Sequence, residues 1–101
     1  ISKNENLKAI YCCNDTMAMG AQEAVQNAGK DIIVVGTDGN SDAIESVKAG
    51  NLTATVAQDP AGVAARSLEL LVKAHQNGEK PGDVAIIEEY VDPILITKDE
   101  N

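Results

Sequence analysis

The stretch LKAIYCCNDTMAMGAQEAVQNAG (residues 7–29) decides the fold. Its first part, Leu7 to Cys13, is a near-continuous apolar run. Such a run marks a parallel strand covered on both sides, whereas a half-exposed strand alternates. At Asn14 the period changes, and Ala18, Ala21, Val25 and Ala28 recur at helical spacing. Asn14 or Asp15 can cap the start of that helix, and Gly29 suits the left-handed position after its end. A buried strand running directly into a helix is the repeating unit of a parallel α/β sheet.

The unit recurs along the chain. DIIVVG (31–36) reads as a second buried strand. NSDAIESVKAG (40–50) reads as a short helix with a capping-box-like Asp42 and Glu45, ended by Gly50. NLTATVAQ (51–58) alternates, with Leu52, Ala54 and Val56 on one face and Thr53 and Thr55 on the other. DPAGVAARSLELLVKAHQNG (59–78) is the longest helix: Asp59 caps it, Pro60 takes the tolerated first position and Gly78 stops it. Its apolar stripe is Ala64, Ala65, Leu68, Leu71 and Val72. EKPGD (79–83) is a loop, and VAIIEEYVDPILIT (84–97) is extended, broken near Pro93. The predicted fold is α/β: a partial doubly wound parallel sheet in the order βα-βα-βα-β, with right-handed crossovers. There is no internal repeat.

Composition narrows the function. A chain of 101 residues is at most one small domain. Its longest purely apolar run is IIVV, far short of the roughly 20 residues that span a bilayer. Sixteen acidic residues against eight basic ones give a net charge of −8, which repels phosphate backbones and argues against nucleic acid. The N-terminus has no signal-peptide pattern, so the protein is expected to be cytosolic, or a piece whose targeting segment lies elsewhere. Tyr11 and Tyr90 are the only aromatic residues.

Cys12 and Cys13 could suggest a metal or redox site. Neighbours on a strand point to opposite faces, and a disulfide between them would be strained. A zinc site needs about four ligands, and the single His75 is far away in sequence. The pair therefore reads as two small apolar residues in a buried strand, with a thiol activated by the following helix N-terminus as the alternative. GTDG (36–39) is too short for a phosphate loop and lacks its lysine. No Ser-His-Asp or Cys-His set is present, so neither catalysis nor a cofactor is expected.

The polar residues converge elsewhere. Ligands of open α/β sheets bind outside the carboxyl ends of the strands. Strand one ends in Asn14 and Asp15, strand two in GTDG, and strand three in Gln58 and Asp59. A carboxylate with two amides offers donors and acceptors to several hydroxyls at once, which suits a neutral polyol such as a sugar. Each of these residue types is also an ordinary helix cap, and Gly36 and Gly39 read as ordinary turn residues. Asp38 stands apart, because Asn40, Ser41 and Asp42 behind it are all available as caps.

Three motifs, LKAIYCCNDTMAMGAQEAVQNAGK, IIVVGTDG and LTATVAQDPAGVA, closely resemble the C-terminal part of bacterial periplasmic sugar-binding proteins. The resemblance is to the D-ribose- and D-allose-binding type I members serving ABC transporters, and it runs from about Leu7 to Thr97. It implies a fragment of the C-terminal lobe of a two-lobed, periplasmic-binding-protein-like fold. Residues 1–57 would be βα units of that lobe, 58–92 the hinge crossing and a helix that packs on the other lobe, and 93–101 the returning strand and tail. Carried over by position, Asn14, Asp38 and Gln58 would contact the sugar, with Thr37 and Asp15 as supporting or capping groups. The implied partners are a monosaccharide, an ABC permease and the remainder of a parent chain. The implied location is periplasmic or extracellular, lipid-anchored in a Gram-positive parent. A dimer or swapped assembly of the chain is also expected, to cover the long helix. The effector-binding core of LacI-type repressors shares this fold and is the alternative, but those usually read GFDD, and no helix-turn-helix is present here.

Overall fold

The computed structural model describes residues 1–80, 82 and 89–98. The elements are β1 (Ala9–Tyr11), α1 (Asp15–Ala28), β2 (Ile33–Asp38), α2 (Ser41–Lys48), β3 (Ala54–Ala57), α3 (Pro60–Gln76) and β4 (Ile94–Thr97). Of the extended run expected over 84–97, β4 covers the last four residues and Glu89–Pro93 is irregular. Residues 84–88 lie outside the described residues. The chain forms two compact units, one made of Ile1–Gln58 with the stretch from Pro93 onward, the other of Asp59–Asp92.

In the first unit the sheet order is β1-β2-β3-β4. β1 pairs with β2 in parallel (Ile10 opposite Val34), and β2 with β3 in parallel (Gly36 opposite Thr55). These two parallel pairings are joined by crossovers through α1 and α2. β4 departs from the expected parallel sheet: it runs antiparallel to β3, with Ile94 opposite Ala57 and Thr97 opposite Ala54. The register supplies the reason. The chain leaves β3 at Ala57 and rejoins the sheet beside that same end, so it has to run back along β3.

α1 packs on β2, and α2 packs on β3, β4 and α1. Cys12, Ala18, Val25, Ile32, Val34, Ala43, Val47 and Leu52 form the core between helices and sheet, with Ile10 and Ile96 against it. Full burial of Leu52, Val34 and Val47 contributes about 1.5–3 kcal/mol each. Within α1 the buried positions are Asp15, Ala18, Gln22 and Val25. Ala21 is only partly covered and Ala28 is exposed, because Gln22 rather than Ala21 faces inward.

The expectation that β1 is covered on both sides is corrected. Tyr11 and Ile33 are exposed, as is Leu95 on β4. Side chains alternate between faces along a strand. Ile10, Val34, Gly36, Thr55 and Ile96 meet the helices, and Tyr11, Ile33 and Leu95 lie on the opposite face. The cysteines divide the same way, Cys12 buried and Cys13 exposed, so the reading of both as buried fillers holds for Cys12 alone.

The helix ends follow local chemistry. Asn14 Oδ1 accepts from Met17 N at 2.9 Å, and Gly29 closes α1 at φ 66°. The capping box expected at Asp42 and Glu45 does not form. α2 starts two residues earlier, with Asn40 as its N-cap and no side-chain cap bond, and Asp42 Oδ1 accepts from Ala43 N instead. Gly50 follows α2 at φ 86°.

In the second unit Asp59 Oδ1 accepts from Gly62 N at 2.9 Å, Pro60 opens α3, and Gly78 follows it at φ 72°. No residue of α3 is buried, and Leu68, Leu71 and Val72 of the expected stripe are exposed. Arg66 is bonded to Glu69 one turn on and to Glu89 of the irregular segment. The hydrogen bond from Arg66 holds the Glu89 carboxyl below its usual range.

Candidate functional site

Asn14, Asp38 and Gln58 stand at the carboxyl ends of three adjacent strands, because each follows or ends its strand at a β-to-α turn. Two of the three are in direct contact. Gln58 Nε2 donates to Asp38 Oδ1 at 2.7 Å, and Gln58 N donates to the Asp38 carbonyl at 3.1 Å. Asn14 neighbours them through the strand order but bonds with neither. Its Oδ1 serves as the α1 cap, while its amide nitrogen has no partner among the described residues. Asp38 Oδ2 and Gln58 Oε1 are likewise without a partner among the described residues.

The turn that carries Asp38 is unusual. Asp38 has φ 127°, a positive value that costs an L residue of order 1–3 kcal/mol. Gly39 follows at φ 79°, and a Cβ there would lie 2.5 Å from that of Ala57. Gly39 is thus a turn residue, as expected. Gly36 is not: it lies inside β2, and a Cβ on it would run into Asp15 Oδ1 and within 2.9 Å of Ala18 Cβ.

Asp15 is the group that sequence reasoning underrated. It is fully buried and caps nothing. Its Oδ1 accepts from Thr55 Oγ1 at 2.6 Å and its Oδ2 from Asn40 N at 2.7 Å. Thr55, on β3, is fully buried too, and the carboxylate satisfies its hydroxyl. The one sequence signal was Gly36, since a glycine inside a strand often marks close approach of another group. Thr37 faces away from this cluster, with its Oγ1 3.1 Å from Tyr11 OH and 3.4 Å from the Cys12 carbonyl. Asp59 belongs to the second unit, as the α3 cap.

A separate cavity of about 440 Å³ is lined by Gln22, Gln26, Lys30, Asn51, Thr53 and Lys98 among others, none of them from the strand-end set. Among the described residues, no cluster of His, Cys, Asp and Glu is arranged to hold a metal, and no helix is long and apolar enough to cross a membrane. The strand-end groups can donate to and accept from several hydroxyls.

The chain is similar in sequence and fold to known proteins. The family model for the periplasmic binding protein domain matches residues 1–80. The D-allose-binding periplasmic protein of Escherichia coli (strain K12) is 52% identical over 101 residues, covering 97% of this chain and 32% of that protein. The ribose import binding protein of Bacillus subtilis (strain 168) is 53% identical over 55 residues, covering 54% of this chain and 18% of that protein. Among solved structures, a periplasmic solute-binding protein of an ABC transporter from Actinobacillus succinogenes 130z, with bound D-allose, superposes with a TM-score of 0.77. It is 36% identical, and the match covers 97% of this chain and 34% of that one. The chain thus spans about a third or less of the length of these relatives.

Proposed function

The chain belongs to the periplasmic binding protein domain family, and on that premise we propose that it supplies part of a monosaccharide site in the substrate-binding component of an ABC sugar importer. The observation that carries the reading is the Asp38–Gln58 pair at the strand ends, in which one carboxylate oxygen and one amide oxygen have no partner among the described residues and can accept. Asn14, with an amide nitrogen still to donate, stands past the end of β1, the strand beside β2. An acceptor-rich pair beside a donor suits vicinal hydroxyls, each of which both gives and takes a hydrogen bond. The sugar class is ribose- or allose-like, because relatives named for D-allose and ribose match this stretch. The role is binding without catalysis, in the periplasm, with a membrane permease as the partner of the ligand-loaded protein. A relative's site drawn from three times the chain length has further contacts to offer, so this chain alone binds sugar weakly, in the millimolar range or beyond.

The test is a titration of the 101-residue chain with D-allose and with D-ribose, followed by nitrogen-15 NMR. Side-chain amide shifts at Asn14 and Gln58 and a backbone shift at Asp38, saturating together, are the expected result. Shifts that are absent, or confined to residues away from the strand ends, would sink the reading. Micromolar affinity in calorimetry would overturn the claim that this chain holds only part of the site.

A further inference from the structure

We propose that Asp15 is the positioning residue of the strand-end site: it fixes the turn that presents Asp38, and this rests on reading that site as a sugar site. Asp15 is the first residue of α1, where an acidic side chain normally stays in solvent near the helix's free N–H groups. Asn14 already performs the capping, and Asp15 instead turns into the layer between α1 and the sheet. A buried carboxylate is costly unless its oxygens are bonded. Here each is bonded to a different segment, Oδ1 to Thr55 in β3 and Oδ2 to the Asn40 amide at the start of α2. One side chain thus joins the β1–α1 junction, the middle of β3 and the β2–α2 turn.

The last of these links bears on ligand binding. An aspartate with φ 127° persists only where its surroundings over-determine it. Asp38 is held on one side by Gln58, through its carbonyl and its Oδ1. Ala57 lies close behind Gly39. On the other side the backbone is fixed at Asn40, whose own side chain makes no cap bond, so its amide bond to Asp15 anchors that end of the turn. Gly36 belongs to the same device, since any larger residue would occupy the volume of the Asp15 carboxylate. Losing Asp15 would release the turn from Asn40 back to Asp38 and let the carboxylate that faces the ligand leave its strained conformation.

A residue that merely holds the fold together would lower stability and leave the turn unchanged in molecules that remain folded. The test therefore reads the folded population of the 101-residue chain by NMR, in D15N, T55V and T55S. D15N keeps the size of the side chain but turns an NH2 group toward one of the two donors. In it, exchange of the Asn40 amide is expected to rise about tenfold to a hundredfold, as for loss of a hydrogen bond to a charged group. The three-bond coupling that reports φ of Asp38 should move toward an averaged value, and the D-allose response at Asp38 and Gln58 should weaken about tenfold. T55V, which removes one anchor of the carboxylate, should show the same changes in milder form, and T55S should restore wild-type values. Unchanged Asn40 exchange and Asp38 coupling in folded D15N overturn the proposal. If D15N does not fold, the same null result in T55V overturns it. A wild-type chain that ignores D-allose would sink the proposed function alone, because the Asn40 and Asp38 readouts need no sugar.

Discussion

Glycine-to-alanine substitution should act with opposite sign at two positions of the same α/β unit. At Gly36 the added Cβ meets Asp15 Oδ1, lies 2.9 Å from Ala18 Cβ and 3.4 Å from Asp15 Cα. Neither the first residue of α1 nor the centre of β2 can yield without disturbing the core, so overpacking costs about 1–3 kcal/mol. Pushing the carboxylate aside also weakens its bonds to Thr55 and Asn40, worth roughly 1.5–3 kcal/mol each because the acceptor is charged. The combined loss is about 3–6 kcal/mol. That is most of the stability of a domain this small. At Gly20, inside α1, nothing lies within 4 Å of the added Cβ, and alanine should stabilise by about 0.5–1 kcal/mol. Urea unfolding followed by circular dichroism measures both. With a slope near 1 kcal/mol/M, the G36A midpoint should fall by at least about 3 M while that of G20A rises by about 0.5–1 M. A G36A chain within about 1 kcal/mol of wild type would refute the packing argument, because the Asp15 carboxylate would then have somewhere else to go.

Other consequences are open to simpler measurements. Only Cys13 is exposed, so a thiol reagent should modify one cysteine per folded chain quickly and Cys12 only on unfolding; two fast thiols would contradict the burial of Cys12. Because Arg66 depresses the Glu89 carboxyl, the stability this pair gives the second unit is intact at neutral pH and is lost as pH falls through the lowered midpoint. Carbon-13 titration should show R66A returning Glu89 to an ordinary glutamate value, and an unchanged midpoint would refute the assignment. Replacing Asp38 by glycine removes about 1–3 kcal/mol of backbone strain against about 1.5–3 kcal/mol for the lost Gln58 bond to a charged acceptor. The two terms nearly offset, so D38G should stay within about 2 kcal/mol of wild type while losing its response to D-allose; a larger loss of stability would refute the strain. With Leu68, Leu71 and Val72 exposed on α3, the chain should self-associate as its concentration rises, and light scattering that stays monomeric at high concentration would argue otherwise.

What could be read in the sequence was the local part of the fold. Asn14, Gly29, Asp59, Pro60 and Gly78 mark helix ends through their own backbone and side-chain chemistry, and that chemistry acts within a few residues. The direction of β4 was not legible, because it depends on where the chain rejoins the sheet after residues 59–92, and no local pattern encodes that point. The exposure of Tyr11 and Ile33 escaped for a related reason: an apolar strand records the surroundings it is suited to, and in this chain only one face of it is covered by α1 and α2. At the strand ends Asp38 stood out because the caps behind it made it redundant as one. Asp15 was read as a supporting or capping group, since its partners Thr55 and Asn40 lie 40 and 25 residues away.

Capping and ligand binding looked like rival explanations for each strand-end residue, and the geometry shows why they need not compete. An amide or a carboxylate has two polar atoms, and at these turns the fold uses only one of them. Asn14 Oδ1 accepts from Met17 N and Asp38 Oδ1 accepts from Gln58 Nε2, while Asn14 Nδ2, Asp38 Oδ2 and Gln58 Oε1 have no partner among the described residues. The internal bond fixes the rotamer, so the remaining atom is presented in one direction with its conformational entropy already lost. That is how a site of short side chains can be preorganised, since less freedom remains to be lost when a ligand arrives. Asp15 is the limiting case: it is fully buried with both oxygens bonded inside the protein, so it is out of a ligand's reach and acts only through the turn it holds.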